Sequence, residues 1–256
     1  MADPISLQQT FWNGWNASHR EQAIDVVSAR QAEVVCGWLD RLRRPDLDLI
    51  EVGCGAGWLC PQLMKFGRLT ATDLSDEVLA RAQHRLPEVT FVPGDFMNLD
   101  FGSAAFDVVV ALEVLSHVAD QPAFVRKLAS HLRPGGHLMM ATQNRFVLQH
   151  FNRIPPPAPG QLRRWVDRRE LRALLEPEFD VLELFSVTPK LACRTVGRIK
   201  SMLVGPRWAV VGGQTETEGR SGHQAGLGGR ALRWGLAQME SMGLGWTLMA
   251  LARRRA

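Results

Sequence analysis

The 256-residue chain has no tyrosine and only four cysteines, Cys36, Cys54, Cys60 and Cys193, which form no CxxC pair and no Cys/His cluster. A structural zinc site is therefore not expected, no metal ligand is assigned, and a core of this size needs no disulfide scaffold. No run of about 18 apolar residues occurs, so no membrane-spanning helix is expected. The N-terminus is polar and lacks the apolar stretch of a secretion signal, which makes the cytoplasm the expected compartment. Glycine and proline follow no collagen-like period, and the composition is not that of a disordered chain. What is present, 46% hydrophobic and 22% charged residues, suffices for one sizeable core, or a core with a small cap.

The formal charge is +4 but unevenly spread: Lys and Arg outnumber Asp and Glu 11 to 3 from residue 190 onward, against 19 to 23 before it. A basic region of this kind suits a solvated face, an anionic substrate, a membrane surface or nucleic acid.

Apolar residues spaced by three and four (Ile24, Val27, Val34, Val35, Trp38, with Gln31 on the same stripe) predict a helix over 21–44, stopped by Pro45. DLDLIEV predicts a strand over 47–52, followed by GCGAG and a short helix over 58–66. LTATD is a second strand ending at Asp73; SDEVLARAQHRL is a helix with Ser75 as its cap; VTFVPGD is a third strand. The almost continuous apolar run FDVVVAL (106–112) suits a parallel strand covered on both faces. QPAFVRKLASHL is a helix ended by a turn at Pro134–Gly136, and HLMMATQ a fifth strand. Such alternation predicts a doubly wound α/β sheet, with ligands at the edge where the first four strands end. IPPPAPG (154–160) is a stiff connector, DRRELRALLEP a helix and FDVLELFSV a strand. Residues 212–229 read as a loop, about 230–242 as a helix and WTLMALA (246–252) as a last strand. Four regions follow: an N-terminal helical lid (1–44), a nucleotide-binding core (45–189), an acceptor cap (190–245) and a closing strand with a basic tail (246–256).

The strongest local signal is Glu51-Val-Gly53-Cys-Gly55-Ala-Gly57 directly after a strand. Glycines there let the backbone turn and approach a ligand closely. Asp73, about 20 residues on, suits a ribose diol, a pattern shared by NAD and S-adenosylmethionine sites. Asp95 and Phe96 after strand three suit an adenine amino group and ring, and Glu113 follows strand four.

With these motifs in place, residues 47–142 resemble the class I S-adenosylmethionine-dependent methyltransferases: EVGCGAG, ATDLS, GDF, FDVVVALEVLSHV and LRPGGHLMMATQN stand in the order of that family's motifs. The resemblance continues more weakly to residue 188. It implies a seven-stranded sheet in the order 3-2-1-4-5-7-6 with the last strand antiparallel, and S-adenosylmethionine as cofactor. It implies that Gly53, Gly55 and Gly57 wrap the cofactor's amino-acid end and that Asp73 takes its ribose. By the same implication Asp95 and Phe96 contact adenine, while Leu112 and Glu113 line the methionine side. Glu51, Cys54 and Leu74 belong to the same motifs. Within the class, EVLSHV, TQNR and WVDRRELRALLEPEFDVLEL are similar to ubiquinone-biosynthesis O-methyltransferases, although Ser116 replaces their usual Glu and Glu178 their usual Gly.

Methyl transfer to a hydroxyl needs alignment, exclusion of water and a place for the proton. His117, just past strand four, is the leading candidate base, with a packed helix-face histidine as the competing role. His150 is the second, and His19 and His223 are further ones; His84, His131 and His137 read as surface or helix-end residues. Phe11, Trp12 and Trp15 are too few to form a core of their own and read as a lid or as docking residues. Asn13 and Asn16 add hydrogen bonds, and Arg20 or Arg30 is expected on the methionine carboxylate. Asn144, Arg145, Phe146, Phe151, Arg164 and Trp165 combine apolar and cationic groups and are expected around an aromatic or polyketide-like acceptor with an acidic hydroxyl or carboxylate, of quinone-like or secondary-metabolite type. The expected partner is a small molecule and the protein a monomer or homodimer. Methylation of nitrogen or carbon, nucleic-acid methylation, a non-catalytic cofactor-binding role and an NAD-dependent oxidoreductase are the alternatives. Residues 190–210 are expected either to touch an anionic bilayer surface or to cap the pocket.

Overall fold

A computed structural model describes residues 4–19, 25–151, 154–187 and 244–255. Arg20, Cys193, His223, the loop over 212–229, the helix over 230–242 and nearly all of the 190–245 cap, with its 190–210 surface, lie outside the described residues.

The chain opens with α1 (Pro4–His19) and α2 (Val26–Leu42). Asp25 caps α2 by accepting from the Ser28 amide at 2.7 Å. Among the described residues seven strands follow: β1 (Leu47–Val52), β2 (Gly67–Asp73), β3 (Thr90–Pro93), β4 (Phe106–Leu112), β5 (Leu132–Gln143), β6 (Phe179–Val187) and β7 (Thr247–Arg254). They lie in the order β3-β2-β1-β4-β5-β7-β6, with β7 alone antiparallel to its neighbours. Between them run α3 (Cys60–Leu63, continued by a 3-10 turn to Phe66), α4 (Asp76–Arg85), α5 (Gln121–His131), α6 (Arg145–Phe151) and α7 (Arg168–Leu175).

Alternation along the strands divides the core into two layers. Val108, Val110 and Leu112 of β4 pack with Val35, Trp38 and Leu39 of α2 and Leu63 of α3. Val109 and Ala111 pack on the other face with Phe124 and Leu128 of α5 and Leu171 and Leu175 of α7. Every residue of β4 is buried, as its unbroken apolar run requires. Each such Val or Leu contributes roughly 1.5–3 kcal/mol by leaving water. At the opposite edge from the glycine turn, Arg133 bridges Asp48 of β1 (2.8 Å) and Asp107 of β4 (2.6 Å), which pins the strand starts.

Two local expectations are corrected. Pro134–Gly136 do not form a turn between helix and strand; α5 ends at His131 and the three residues lie within β5, beside a register shift opposite Phe106 and Val108. Ser75 holds the cap position of α4 without capping it, because its hydroxyl accepts from Asn16 instead.

Candidate active site

The turn after β1 is held by backbone bonds to β2. The Gly53 and Cys54 amides donate to the Thr72 carbonyl at 2.7 and 3.1 Å, and the Gly55 amide donates to Asp73 Oδ2 at 2.8 Å. Gly53 (φ 76°) and Gly55 (φ 54°) are left-handed. A Cβ on Gly53 would lie 2.0 Å from Val114 Cγ2, and one on Gly55 3.2 Å from Asn16 Oδ1. Only glycine fits this path without strain. Asp73 Oδ1 also accepts from the Ser75 amide at 2.8 Å. A carboxylate has about four acceptor positions, so roughly two remain for a ligand.

Glu51 lies beneath the turn, fully buried, and accepts from Cys60 Sγ at 3.3 Å. Burial pushes its carboxyl up to about 8, with the nearby Asp73 charge adding to the rise, so it is protonated at neutral pH. Burial also drives the Cys54 thiol well above its usual range. Neither residue lines the cavity. Gly57 does not line it either; a Cβ there would meet Phe91 at 3.3 Å and Cys60 at 3.4 Å, so this glycine serves packing between β3 and α3. These three motif residues form the wall behind the site.

In front of the turn lies a cavity of about 800 Å³, running from the ends of β1–β4 to the segment 154–165. Gly53, Gly55, Asp73, Leu74, Asp95, Phe96, Leu112, Glu113, His117 and Trp12 all line it. Asp95 is held by the Met97 amide and the Asn98 side chain, both donating at 3.0 Å. Phe96 is mostly core, with its ring edge-on to Phe124 at 5.6 Å. Glu113 takes a left-handed φ of 61°, unusual for a residue with a side chain, at the point where β4 ends. Gln31 of α2 donates to Glu113 Oε1 at 2.5 Å and aims that carboxylate.

Helix α1 forms the roof. Asn16 donates to Ser75 Oγ at 2.7 Å and Asn13 to Asp76 Oδ1 at 2.9 Å, which docks the helix at the start of α4. Phe11, Trp12 and Trp15 then face the cavity, and Trp12 meets the His117 ring at 4.6 Å. His117 Nδ1 lies 2.7 Å from the Leu162 carbonyl. A carbonyl only accepts, so Nδ1 carries the hydrogen and Nε2 is the basic nitrogen of the neutral ring. Burial lowers its pKa from the usual imidazole value and the Arg163 charge lowers it further, against the Leu162 bond that raises it.

Several expected site residues lie elsewhere. His150 is exposed on α6, bonded to the Phe146 carbonyl and tilted against the Phe146 ring at 4.5 Å. Arg30 pairs with Glu33 at 2.9 Å and does not line the cavity. Arg145 is tied to Asp167 and Glu170, each at 2.7 Å. Asn144 is buried and donates to the Gly245 carbonyl, Phe146 is exposed, and exposed Arg164 donates to the Ala119 carbonyl. The Phe151 side chain lies outside the described residues; of the others in that group Trp165 alone is placed at the cavity, beside Arg163, which the sequence did not single out. Gln31 had a signal: it was the one polar residue on an apolar helical stripe.

A family model described as a methyltransferase domain matches residues 50–140, which span the glycine turn, Asp73, Asp95, Glu113 and His117. Residues 50–140 thus match a methyltransferase domain, on a sheet with the strand order of the class I S-adenosylmethionine-dependent methyltransferases. The chain is similar to the ubiquinone biosynthesis O-methyltransferase of Caulobacter vibrioides, 32% identical over 147 residues that cover 52% of this chain and 58% of the relative. It is 36% identical to that of Methylobacterium nodulans over 153 residues, 54% of this chain and 60% of the relative. The chain thus spans under two thirds of the length of these curated relatives. Among solved structures, an S-adenosylmethionine-dependent methyltransferase from Mesorhizobium loti has TM-score 0.57 and 20% identity over 85% of this chain and 96% of that one. A Burkholderia thailandensis 1,6-didemethyltoxoflavin-N1-methyltransferase, solved with S-adenosylhomocysteine, has TM-score 0.59 and 17% identity over 100% of this chain and 92% of that one. The seven-stranded fold is the one the family resemblance implies, and the doubly wound α/β sheet is the one the strand pattern predicts.

Proposed function

We propose that the protein methylates a hydroxyl of a small aromatic or quinone-like acceptor, using S-adenosylmethionine. One observation carries this reading: a single cavity joins Asp73, Asp95 and the glycine turn to a half-buried His117 beneath the Trp12 roof. The sheet order, with β7 inserted antiparallel between β5 and β6, departs from the all-parallel order of dinucleotide-binding folds. That favours the sulfonium cofactor over NAD.

The residues fit the cofactor. The space in front of Gly53 and Gly55 is kept open by the absence of Cβ atoms, Asp73 retains acceptor capacity for a diol, and Asp95 stands at the next strand end for an adenine amino group. Bound there, S-adenosylmethionine supplies a methyl group already activated on sulfur. Glu113, aimed by Gln31, offers a carboxylate toward the amino-acid end. The roof of α1 excludes water, which would compete as nucleophile. His117 Nε2 takes the proton that the acceptor hydroxyl loses, while the Leu162 carbonyl fixes the ring's tautomer.

Calorimetry with S-adenosylhomocysteine on wild type and Asp73→Ala, followed by a labelled-methyl transfer assay on hydroxyaromatic compounds, tests the reading. Expected results are binding by wild type, at least tenfold weaker binding by the variant, and label on oxygen. Label on nitrogen or carbon selects the N- or C-methyl alternative. No heat with S-adenosylhomocysteine refutes the proposal.

A further inference from the structure

The cavity has two chemically distinct halves. Its acids, Asp25, Asp73, Asp95, Glu113 and Asp120, each already accept a hydrogen bond from the chain's own groups. The side formed by the segment 154–165 presents Ile154, Pro155, Pro156 and Trp165, and the one charged side chain of that segment at the cavity is Arg163. Its placement follows from the backbone. The Leu162 carbonyl accepts from His117, the Arg164 amide donates to the Ser116 carbonyl at 2.7 Å, and the Arg164 carbonyl accepts from Gln121 at 2.7 Å. Residues 162 and 164 are thereby fastened to the turn after β4, and in this extended stretch the intervening side chain falls on the cavity side while Arg164 faces solvent.

Arg163 is half-buried and held in place without being neutralised. It donates to the Pro155 carbonyl at 2.7 Å and to Gln161 Oε1 at 2.5 Å, and its guanidinium carbon is 5.9 Å from the Trp165 ring centre. None of these partners carries negative charge. No carboxylate pairs with it among the described residues, whereas Arg145 nearby has two. A guanidinium has five donors, and these two bonds leave the others for a ligand. Its pKa is lowered, and burial is the cause. A partly desolvated cation oriented by neutral groups in an apolar, aromatic-lined half-cavity is a site for an anionic oxygen.

We propose that Arg163 selects acceptors that are planar aromatic anions, binding a carboxylate or ionised hydroxyl of the acceptor while a neighbouring hydroxyl faces His117. The inference rests on the methyl-transfer reading and deepens it. It also gives the pair a division of labour. Burial favours the neutral His117 ring and the Arg163 charge adds to that before the acceptor arrives; a bound anion cancels the added field, raising the basicity of His117 once there is a proton to take.

The test compares 3,4-dihydroxybenzoate and 1,4-dihydroxy-2-naphthoate with their methyl esters by calorimetry, with and without S-adenosylhomocysteine. Wild type is expected to bind at least one carboxylate about tenfold or more tighter than its ester. Arg163→Gln should abolish that preference while changing ester binding less than threefold and leaving S-adenosylhomocysteine binding unchanged. Arg163→Lys should keep part of it, because the charge survives and the fork geometry does not. A preference that persists in Arg163→Gln, equal binding of acid and ester by wild type, or binding of neither overturns the proposal. Absence of S-adenosylhomocysteine binding overturns the methyl-transfer reading instead, and the acid–ester comparison without it still decides the role of Arg163.

Discussion

Replacing Gly53 with alanine tests the glycine turn in a way that separates its two constraints. The first is conformational: an alanine held at φ 76° costs about 1–2 kcal/mol, because its Cβ crowds the following carbonyl. The second is steric. The new Cβ would sit 2.0 Å from Val114 Cγ2, far inside the roughly 3.5–4.0 Å optimum for carbon pairs, and the nearest other atom of that side chain is 3.4 Å away. Overpacking of this kind costs roughly 1–3 kcal/mol. Gly53→Ala should therefore lose about 2–5 kcal/mol of stability, the sum of the two. Val114→Ala removes the clashing methyl, so Gly53→Ala/Val114→Ala should recover the steric part and keep the conformational part. The cycle should show a favourable coupling of about 1–3 kcal/mol. Urea denaturation gives the three differences, provided the slope with denaturant is constant across variants. Since Val114 also lines the cavity, S-adenosylhomocysteine affinity should fall in the single Gly53 variant and partly return in the double. Additivity within about 0.5 kcal/mol would refute the argument, since it would mean that Val114 moves aside freely and the turn is not confined.

The other predictions follow from named groups. Glu51 has a pKa of about 8 folded against an ordinary 4.5 unfolded, so the native state binds the extra proton between those values. Stability should then fall as pH rises from about 5 to 8, by on the order of 1 kcal/mol per unit, and Glu51→Gln should flatten the slope in urea melts at several pH values. His117→Ala should reduce kcat about 10²–10⁴-fold with little change in S-adenosylhomocysteine binding. In wild type the acidic limb of kcat/KM should lie below 6.5, the usual imidazole value, because burial favours the neutral ring; a limb above it would speak against His117 as base. Asn16→Ala removes the buried bond that docks α1, at a cost of about 1–3 kcal/mol. Its hydrogen exchange in α1 should rise before that of β1 or β4. Cys54 and Cys60 should resist thiol reagents in the native protein, since both are fully buried with raised pKa values, and should react only on unfolding.

How far the fold was legible depended on whether the relevant force was local. The run FDVVVAL could only be a strand covered on both faces, and β4 occupies those seven residues. Asp73 and Asp95 were legible because the end of a parallel strand fixes where the next side chains emerge, and both line the cavity. Ser75 misled because capping by a serine and acceptance of a bond from a distant asparagine leave the same residue at the same place in sequence. Pro134–Gly136 misled because pairing with β4 begins at Leu132, before the register shift, and carries the strand through residues that favour a turn.

The acceptor half was the least legible part, and for a specific reason. Between residues 154 and 166 no periodicity decides which side chains face inward. Three hydrogen bonds to the turn after β4 decide it, one of them made by His117 itself. The residue that fixes the tautomer of the proposed base thus also fixes the facing of its neighbour, so a shift of one residue in this segment would exchange Arg163 for Arg164 at the cavity and break the Leu162–His117 bond together. On the proposed roles of Arg163 and His117, acceptor recognition and base activation are one structural event. A substitution that loosens the segment without touching the cavity tests this coupling. Gln121→Ala, which removes the bonds to the Leu115 and Arg164 carbonyls, should lower both the acid–ester preference and kcat while leaving S-adenosylhomocysteine affinity intact. Loss of one without the other would show that the two functions are held separately.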